Sequence, residues 1–353
     1  MNVPADLLSR QTAAILSSWG LPSEHVEATA HVLNEADLRG IDSHGVSMLT
    51  LYDDYRRTQK VTLRPNVRIA RESPVTALLD GDGGLGHYPG LRAMDLAITK
   101  CAATGVGVVG VRNSNHYGAA GVYALRAAER GFLGISTTAT WRPAIVPTFG
   151  TRALLGTNPI AFAAPSRRHR HFCLDMATST VALNKVKLAA LIGKPILPGW
   201  ALDDQGHTVT DPAVAMKHIA LTPLGGTPEM GSHKGYGLAA MVEILSTILT
   251  GAAFAPTRAA QNPNADRYDV GHFFLALDPR AFRDEGEFEA DLDAFIDALH
   301  ATRAANPDQP VLVPGEPEER CRAERLRHGI PVADELLAKL RAMAHATHAD
   351  WLL

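Results

Sequence analysis

The alternation of strand patterns with helical patterns, which begins near Val61, constrains the fold of this chain more than any other feature. Short aliphatic or β-branched runs alternate with segments of helical periodicity at 67–69, 75–79, 91–103, 106–111, 119–130 and 133–138. Strands that alternate with helices along a chain are typical of layered α/β structures. The sequence therefore predicts an α/β fold.

The N-terminal part of the chain has a different pattern and predicts a helical layer. Apolar side chains recur at helical spacing over 6–18 and 23–38, and a third helix is predicted from Ser43 to Tyr55. A chain of 353 residues also exceeds a typical domain of ~100–200 residues. Two domains that share an interface are therefore expected.

The remaining segments are assigned by the same reasoning. Strands are predicted at 172–176, 217–223, 270–277 and 311–313, helices at 235–249, 288–305 and 331–345, and an unpatterned polar loop at 255–269.

Charge and cysteine usage exclude several classes of function. The formal net charge is -3, so the chain lacks the excess of positive charge that binding to nucleic acid or an anionic membrane requires. Cys101, Cys173 and Cys321 lie far apart without a CxxC pair and predict reduced thiols in a cytoplasmic protein. No signal peptide, membrane span or metal-binding spacing is recognised, so we expect no membrane partner and no metal.

Two glycine patterns match the letters of the dinucleotide-binding fingerprint, but neither has its context. Gly81–Gly86 follows a strand, yet Pro89 precedes the predicted helix and no acid stands at position 101. Gly105–Gly110 is itself a β-run. Because the fingerprint needs a strand, a helix start at the third glycine and a distant acid, both matches are interpreted as turn and strand glycines.

Two polar segments present histidines where helices begin. In the segment 39–45, Gly45 permits close backbone approach and Asp42 or Ser43 could cap the next helix, while His44 has the pKa range of a general acid or base. Adjacent residues such as Ser43 and His44 do not face each other on a helix, and no G-x-S-x-G motif is present, so acyl transfer is not expected. An ordinary polar histidine beside a helix cap remains the alternative.

Further polar loops follow predicted strands, where ligands of α/β proteins gather. Asn113–Gly118 contains His116, and shorter loops lie at 156–159 and 175–180. The segment Gly225–Gly235 offers flexible amides and two cations before an apolar helix, which is a candidate phosphate cradle. Solvated connections are the alternative for each.

Together these segments resemble the malate/L-lactate dehydrogenase family, which includes L-sulfolactate and ureidoglycolate dehydrogenases, diketogulonate reductase and Δ1-piperideine-2-carboxylate reductase. The family is unrelated to the Rossmann-type lactate dehydrogenases. The matching motifs are Ala36–Val46, Asn113–Gly118, Leu155–Ala164, Asp175–Ser179, Ser232–Leu238 and Pro314–Glu316. They occur in order and cover nearly the whole chain.

The resemblance implies a homodimer with its active site between two domains. One is a helical domain built from N- and C-terminal segments, and the other is a non-Rossmann dinucleotide-binding domain. We expect residues 1–72 to form the N-terminal part of the first domain, 73–253 the cofactor domain, and 254–353 a segment that returns to the first.

The resemblance also implies the chemistry and its residues. His44 matches the family's proton donor, Ser43 is its neighbour in a proposed relay, and His116 is the rival acid/base. The cofactor is NAD or NADP, and its contacts would be Thr140, Thr157, Asp175, Met176, Ala177, Leu224, Gly225, Pro314, Gly315 and Glu316. The expected reaction is hydride transfer between the nicotinamide and C2 of a small 2-hydroxy or 2-keto acid.

Two departures from the family pattern bear on the substrate. Many relatives have an arginine for the substrate carboxylate where this chain has Met48, so Arg56, Arg142 or Lys185 would have to replace it. Relatives with a Ser-His-Asp relay have aspartate at the position of Lys185, which favours a keto/hydroxy acid over a cyclic imine. A cyclic-imine reductase and a non-catalytic dinucleotide-binding protein remain the alternatives.

Overall fold

The computed structural model describes residues 1–257 and 267–353. The helices are α1 Ala5–Ser18, α2 Ser23–Leu38, α3 Leu49–Arg57, α4 His87–Thr104, α5 Ala120–Ala128, α6 Leu183–Leu191, α7 Pro212–His218, α8 Ser232–Glu243, α9 Glu287–His300, α10 Glu316–His328 and α11 Asp334–Ala346. The strands are β1 Asn2–Val3, β2 Arg68–Glu72, β3 Thr76–Asp80, β4 Val106–Ser114, β5 Leu133–Thr138, β6 Ile160–Ala164, β7 Phe172–Met176, β8 Ala201–Leu202, β9 Thr208–Val209, β10 Val270–Leu277 and β11 Ile330–Pro331. The predicted α/β class is confirmed.

A seven-stranded mixed sheet organises the described part of the chain. Its order is β2-β3-β4-β10-β5-β6-β7. The pair β3–β4 is parallel, whereas the other neighbours are antiparallel. A doubly wound dinucleotide fold would have mostly parallel neighbours, so the pairing differs from that arrangement.

Helices α4 and α5 pack on this sheet and form the main apolar core. Met94 and Ala97 of α4 and Tyr123 of α5 are fully buried beside Phe274 of β10. At Gly107 a Cβ atom would lie 1.9 Å from the carbonyl oxygen of Ala97. Glycine at this position of β4 therefore lets α4 approach the strand closely.

A second apolar core joins the two ends of the chain. Leu8 and Leu16 from α1 share a cluster with Ile330, Leu340 and Ala344 from the C-terminal segment. β1 also pairs with β11. The helical layer is thus built from both ends of the sequence.

The seven-stranded sheet crosses both expected domain boundaries. β2 lies before residue 73 and β10 lies after residue 253, yet both belong to the sheet. β10 even occupies the central position. The division at 72/73 and 253/254 therefore does not follow the sheet, because strand pairing between distant segments leaves no mark in the local sequence pattern.

Several predicted elements differ in detail. α4 begins at His87 rather than at Leu91 because Pro89 is tolerated in the first turn, where N–H groups have no partner in the helix. The strand predicted at 217–223 was wrong: α7 occupies 212–218, and Ile219 then adopts a left-handed conformation with φ of 47°. Leu221 makes isolated bridges to Ile145 and Ala201. No strand forms at 311–313.

The region after α8 differs from its prediction in other ways. The helix predicted to Leu249 continues past Glu243 as a π-helical turn at Ile244–Ile248. Of the loop predicted at 255–269, residues 258–266 lie outside the described residues, and 255–257 form a short 3-10 turn. Within the described residues, no helix is long and apolar enough to span a membrane.

Candidate active site

A cavity of about 740 Å³ lies between the N-terminal loop, the sheet and the segment before α10. Its wall contains parts of the loop 39–44, the segment 116–125, the residues 138–142 after β5, the β7 region at 173–177 and the turn at 312–319. Ligand cavities usually occupy ~300–1,000 Å³. The cavity therefore has room for a large ligand.

The buried carboxylate of Asp37 shapes the loop that carries His44. Its Oδ2 accepts a hydrogen bond of 2.7 Å from the Val46 N–H. At Gly45 a Cβ atom would lie only 1.7 Å from Asp37 Oδ1. Glycine at position 45 is therefore required for the turn to close over the carboxylate, and the sequence analysis assigned Asp37 no role.

Asp37 predicts an unusual pH dependence of stability. Burial and the nearby Asp42 raise the pKa of Asp37 to about 7, against the Val46 N–H and Arg325, which lower it. Because the folded pKa lies above the unfolded value of ~3.9, the stabilisation is greatest in acid and is lost as pH rises towards 7. We expect Asp37→Asn to raise Tm relative to the wild type more at pH 8 than at pH 5, as measured by thermal melts.

The exposed Asp308 provides a matched control for that substitution. The Tm difference between Asp308→Asn and the wild type should stay constant over the same pH range. A Tm difference between Asp37→Asn and the wild type that stays constant or shrinks from pH 5 to pH 8 would contradict the raised pKa of Asp37.

His44 and His116 lie side by side at the cavity wall. Their ring centroids are 5.5 Å apart and the rings are nearly parallel, at 26°. The exposed hydroxyl of Ser43 lies 2.9 Å from His44 Nδ1. Burial lowers the pKa of His44 below its ordinary value, so a neutral ring is favoured near pH 7.

Residues outside the cavity wall form hydrogen bonds with His116. The backbone N–H of His116 donates to Asn115 Oδ1 at 2.8 Å, and the ring Nδ1 of His116 lies 2.7 Å from the hydroxyl of Tyr52. Burial, followed by His44, His87 and His272, holds the pKa of His116 well below its ordinary value. Tyr52 had no predicted role, although a tyrosine on the buried face of a helix signals a hydroxyl that needs a buried partner.

Most of the residues expected to contact a dinucleotide line the cavity. They are Thr140, Thr157, Asp175, Met176, Ala177, Pro314 and Gly315. Three others do not line it. The Leu224 N–H donates to the carbonyl of Thr178, Gly225 packs against the backbone of Gly231, and Glu316 accepts from the Val313 N–H and pairs with His300 at 2.8 Å.

Asp175 connects the cavity to the first turn of α5. One of its carboxylate oxygens accepts a hydrogen bond of 2.7 Å from the Gly121 N–H. Desolvation by the surrounding protein raises the pKa of Asp175 to about 6, the Gly121 N–H opposes this shift, and the charge of Glu318 adds to it. Asp175 therefore caps α5 across the sheet and presents a carboxyl group to the cavity.

The four residues predicted to bind substrate lie in different environments, and one of them is at the cavity wall. Arg142 is exposed at the cavity wall and forms no ion pair with any described residue. Arg56 instead donates to Asp53 at 3.0 and 2.8 Å. Lys185 is exposed on α6 outside the cavity wall, and Met48 packs against the helical core.

No metal site is found among residues 1–257 and 267–353, since no group of three or more His, Cys, Asp or Glu side chains could hold an ion there. The cavity wall contains three imidazoles, from His44, His116 and His171, together with hydroxyl, carboxyl, thiol and guanidinium groups.

Comparison with known proteins identifies the family. The family model for malate/L-lactate dehydrogenase matches residues 3–341. The chain is 41% identical to a malate dehydrogenase of Pyrococcus horikoshii, over 100% of this chain and 97% of that protein. It is 38% identical to an L-sulfolactate dehydrogenase of Methanocaldococcus jannaschii, over 94% of this chain and 93% of that protein. The solved malate dehydrogenase of Entamoeba histolytica superposes with a TM-score of 0.94 at 31% identity and covers 99% of each chain. This chain belongs to the malate/L-lactate dehydrogenase family of oxidoreductases.

Proposed function

We propose that the protein is an NAD(P)-dependent dehydrogenase that interconverts a small 2-hydroxy acid of the malate or lactate kind and its 2-keto acid. The observation that carries the proposal is the pair of histidines, with ring centroids 5.5 Å apart, in a cavity that Arg142 also lines. A proton donor and a cation for the carboxylate are what the chain itself must supply to such a reaction.

The described residues fit a nicotinamide dinucleotide. Residues 119–122, at the start of α5, line the cavity, and a helix N-terminus attracts phosphate through the N–H groups of its first turn, of which that of Gly121 already donates to Asp175. Leu125, Leu312 and Val313 supply apolar wall for flat rings, and the carboxyl of Asp175 can accept from a ribose hydroxyl. When bound, the nicotinamide carries the hydride that reaches or leaves C2 of the acid.

In this proposal His44 exchanges the proton with the C2 oxygen. In the oxidation direction the neutral imidazole accepts the hydroxyl proton, and in reduction the protonated ring returns it. Ser43, exposed and 2.9 Å from the ring, connects His44 to solvent for proton exchange. Arg142 holds the carboxylate and so fixes which carbon faces the hydride.

The cofactor is left open between NAD and NADP. Relatives named ureidoglycolate dehydrogenase (NAD(+)) and (2R)-3-sulfolactate dehydrogenase (NADP(+)) are 31% and 34% identical to this chain. A panel of pyruvate, oxaloacetate, 3-sulfopyruvate and Δ1-piperideine-2-carboxylate, each with NADH and NADPH, tests the proposal through the absorbance of the reduced cofactor.

The panel also separates the alternatives. Turnover of the cyclic imine alone would favour a reductase like the solved Δ1-piperideine-2-carboxylate reductase of Pseudomonas syringae, which is 26% identical with a TM-score of 0.85. Cofactor binding without turnover of any acid would favour a non-catalytic protein. The exposed position of Lys185 away from the cavity wall speaks against a proton relay through that residue.

We also propose a homodimer in the cytoplasm. The free thiols of Cys101, Cys173 and Cys321 suit a reducing compartment. The helix that begins at α8 exposes Met241, Ile244, Ile248 and Leu249 to 37%, 53%, 68% and 63%. A stripe of large exposed apolar side chains on one helix is typical of a protein–protein interface.

Replacing Ile248 by glutamate should convert the dimer into monomers, because a charge at the interface would be buried without a partner. Light scattering coupled to gel filtration measures the mass directly. Phe282→Glu, at a turn where a single phenylalanine is 73% exposed, is the matched control and should remain dimeric. A monomeric wild type, or a dimeric Ile248→Glu variant, would contradict this interface.

A further inference from the structure

A chain of hydrogen bonds runs from His116 into the protein interior. The Tyr52 hydroxyl lies 2.7 Å from His116 Nδ1 and 3.1 Å from His87 Nε2. His87 Nδ1 lies 3.4 Å from the hydroxyl of Thr29. Tyr52, His87 and Thr29 are each at most 1% exposed. Helices α2, α3 and α4 thus each contribute one polar side chain to a line that ends at the cavity.

One backbone amide determines the direction of this chain. The Gly118 N–H donates to His116 Nδ1 at 3.2 Å, from a residue whose φ of 84° suits glycine. Because an amide nitrogen only donates, Nδ1 of His116 must be an unprotonated acceptor. The Tyr52 hydroxyl therefore donates to the same nitrogen, and its oxygen is free to accept from His87 Nε2–H.

The same logic fixes the tautomers of both histidines. With its proton on Nε2, His87 accepts at Nδ1 from the Thr29 hydroxyl. Because the Gly118 N–H and the Tyr52 hydroxyl both donate to Nδ1 of His116, neutral His116 carries its proton on Nε2. That nitrogen is the one left for the cavity that His116 lines.

We propose that Tyr52 and His87 are positioning residues that keep His116 neutral with its proton on Nε2, so that His116 is a fixed hydrogen-bond donor to the C2 oxygen while His44 exchanges the proton. The inference rests on the proposed function and divides its chemistry between the two histidines. It also removes His116 as the rival acid/base.

A neutral donor stabilises charge on the oxygen without giving its proton away. If His116 lost the Nε2 proton it would become an imidazolate, since Nδ1 carries none. His44 has no such constraint, because within the described chain its ring bonds to the rotatable Ser43 hydroxyl. In reduction, the hydride adds to C2, the carbonyl π electrons move to oxygen, and His44 supplies the proton.

The surroundings of His116 favour its neutral form. The titratable groups that face it are His44 from the loop before α3, Tyr52 from α3, His87 from α4 and His272 from β10. Burial lowers the pKa of His87 and of His272 to about 3 and raises that of Tyr52 well above its ordinary value. Within this group, the His44 ring is the one that no inner donor fixes in a single protonation state, so His44 can gain and lose a proton during the reaction.

The proton position can be observed directly. Two-bond ¹H–¹⁵N correlation spectra of histidine-labelled protein distinguish the tautomers, and a His116→Gln variant assigns the signal. We expect His116 in the Nε2–H form from pH 5 to 9 in the wild type. A proton on Nδ1, or titration of His116 in this range, would overturn the inference.

Tyr52→Phe removes one donor and keeps the buried ring. We expect His116 to show a mixture of tautomers or a measurable titration. For reduction, kcat should fall by about fivefold to tenfold, the effect of one neutral hydrogen bond. KM should change little, because Tyr52 does not line the cavity. Wild-type kcat and an unchanged His116 spectrum would overturn the role of Tyr52.

A pair of substitutions at His87 separates positioning from packing. Glutamine retains an N–H that can donate to Tyr52, whereas leucine does not. We expect His87→Leu to resemble Tyr52→Phe, and His87→Gln to restore most of the lost kcat and the single tautomer. Equal loss in both variants would overturn the role of His87. The spectra need no substrate. Absence of turnover with every acid would therefore reject the proposed function, while the spectra would still test the protonation of His116.

Discussion

Replacing His44 by alanine is expected to lower kcat by about 10²- to 10⁴-fold, the usual contribution of a general acid or base. The loss should appear in both reaction directions, because the same imidazole gives the proton in reduction and takes it in oxidation. In keto-acid reduction the alkaline limb of the pH–rate profile should also disappear, since the protonated form of His44 is the one that supplies the proton. Steady-state rates with the best keto acid from the panel measure the effect.

Two controls make the His44 result decisive. Binding of the reduced cofactor, followed by its fluorescence, should change little in His44→Ala, which separates lost chemistry from lost folding. His116→Gln should retain the pH limb while losing rate, since His116 is proposed as a neutral donor. A His44→Ala variant within threefold of the wild type would reject the assignment.

Arg142→Ala is expected to lower kcat/KM for the keto acid by roughly 10- to 150-fold, with most of the change in KM. Hydrogen bonds to a charged group are worth about 1.5–3 kcal/mol each, and a guanidinium can bind both carboxylate oxygens. Arg142 lines the cavity without an acidic partner within the described chain, whereas Arg39, also at the wall, pairs with Glu35 and Glu319. Arg142→Lys should recover only part of the loss, because an ammonium group cannot form the paired bonds.

The substrate carboxylate itself supplies the control for Arg142. With the methyl ester of the same keto acid, the wild type and Arg142→Ala should differ by less than threefold. Arg56→Ala and Lys185→Ala test the rival cations. A larger loss in either of them than in Arg142→Ala would move the carboxylate site away from Arg142.

The fold class was predictable because local periodicity reports local structure. The patterns at 23–38, 133–138 and 270–277 coincide with α2, β5 and β10. Elements without apolar periodicity were not predicted. Helix α10, from Glu316 to His328, has no buried residue, so its sequence has no pattern that marks a buried face. The strand predicted at 217–223 overlaps only the end of α7 and was wrong, because a short apolar run does not distinguish a strand from other structures.

The candidate site was predictable only in part, for a related reason. Motif resemblance indicated Ser43, His44, His116 and Asp175, and the fold brings all four to one cavity. Tyr52 and His87 were not indicated, because their roles come from contacts across helices. The choice among Arg56, Arg142 and Lys185 likewise needed the structure, since only spatial position shows that Asp53 already neutralises Arg56.

The central place of β10 has a consequence for biosynthesis. While a ribosome is still translating residues before 270, β2-β3-β4 and β5-β6-β7 can form only as two half-sheets, each with an open inner edge. The bond between His272 and Ser114 spans 158 positions, and pairing over such distances is slow and exposes edges that aggregate. Nascent chains of this protein should therefore depend on chaperones until the last strand emerges, and fragments truncated before it should be degraded rather than accumulate as a folded dinucleotide-binding piece.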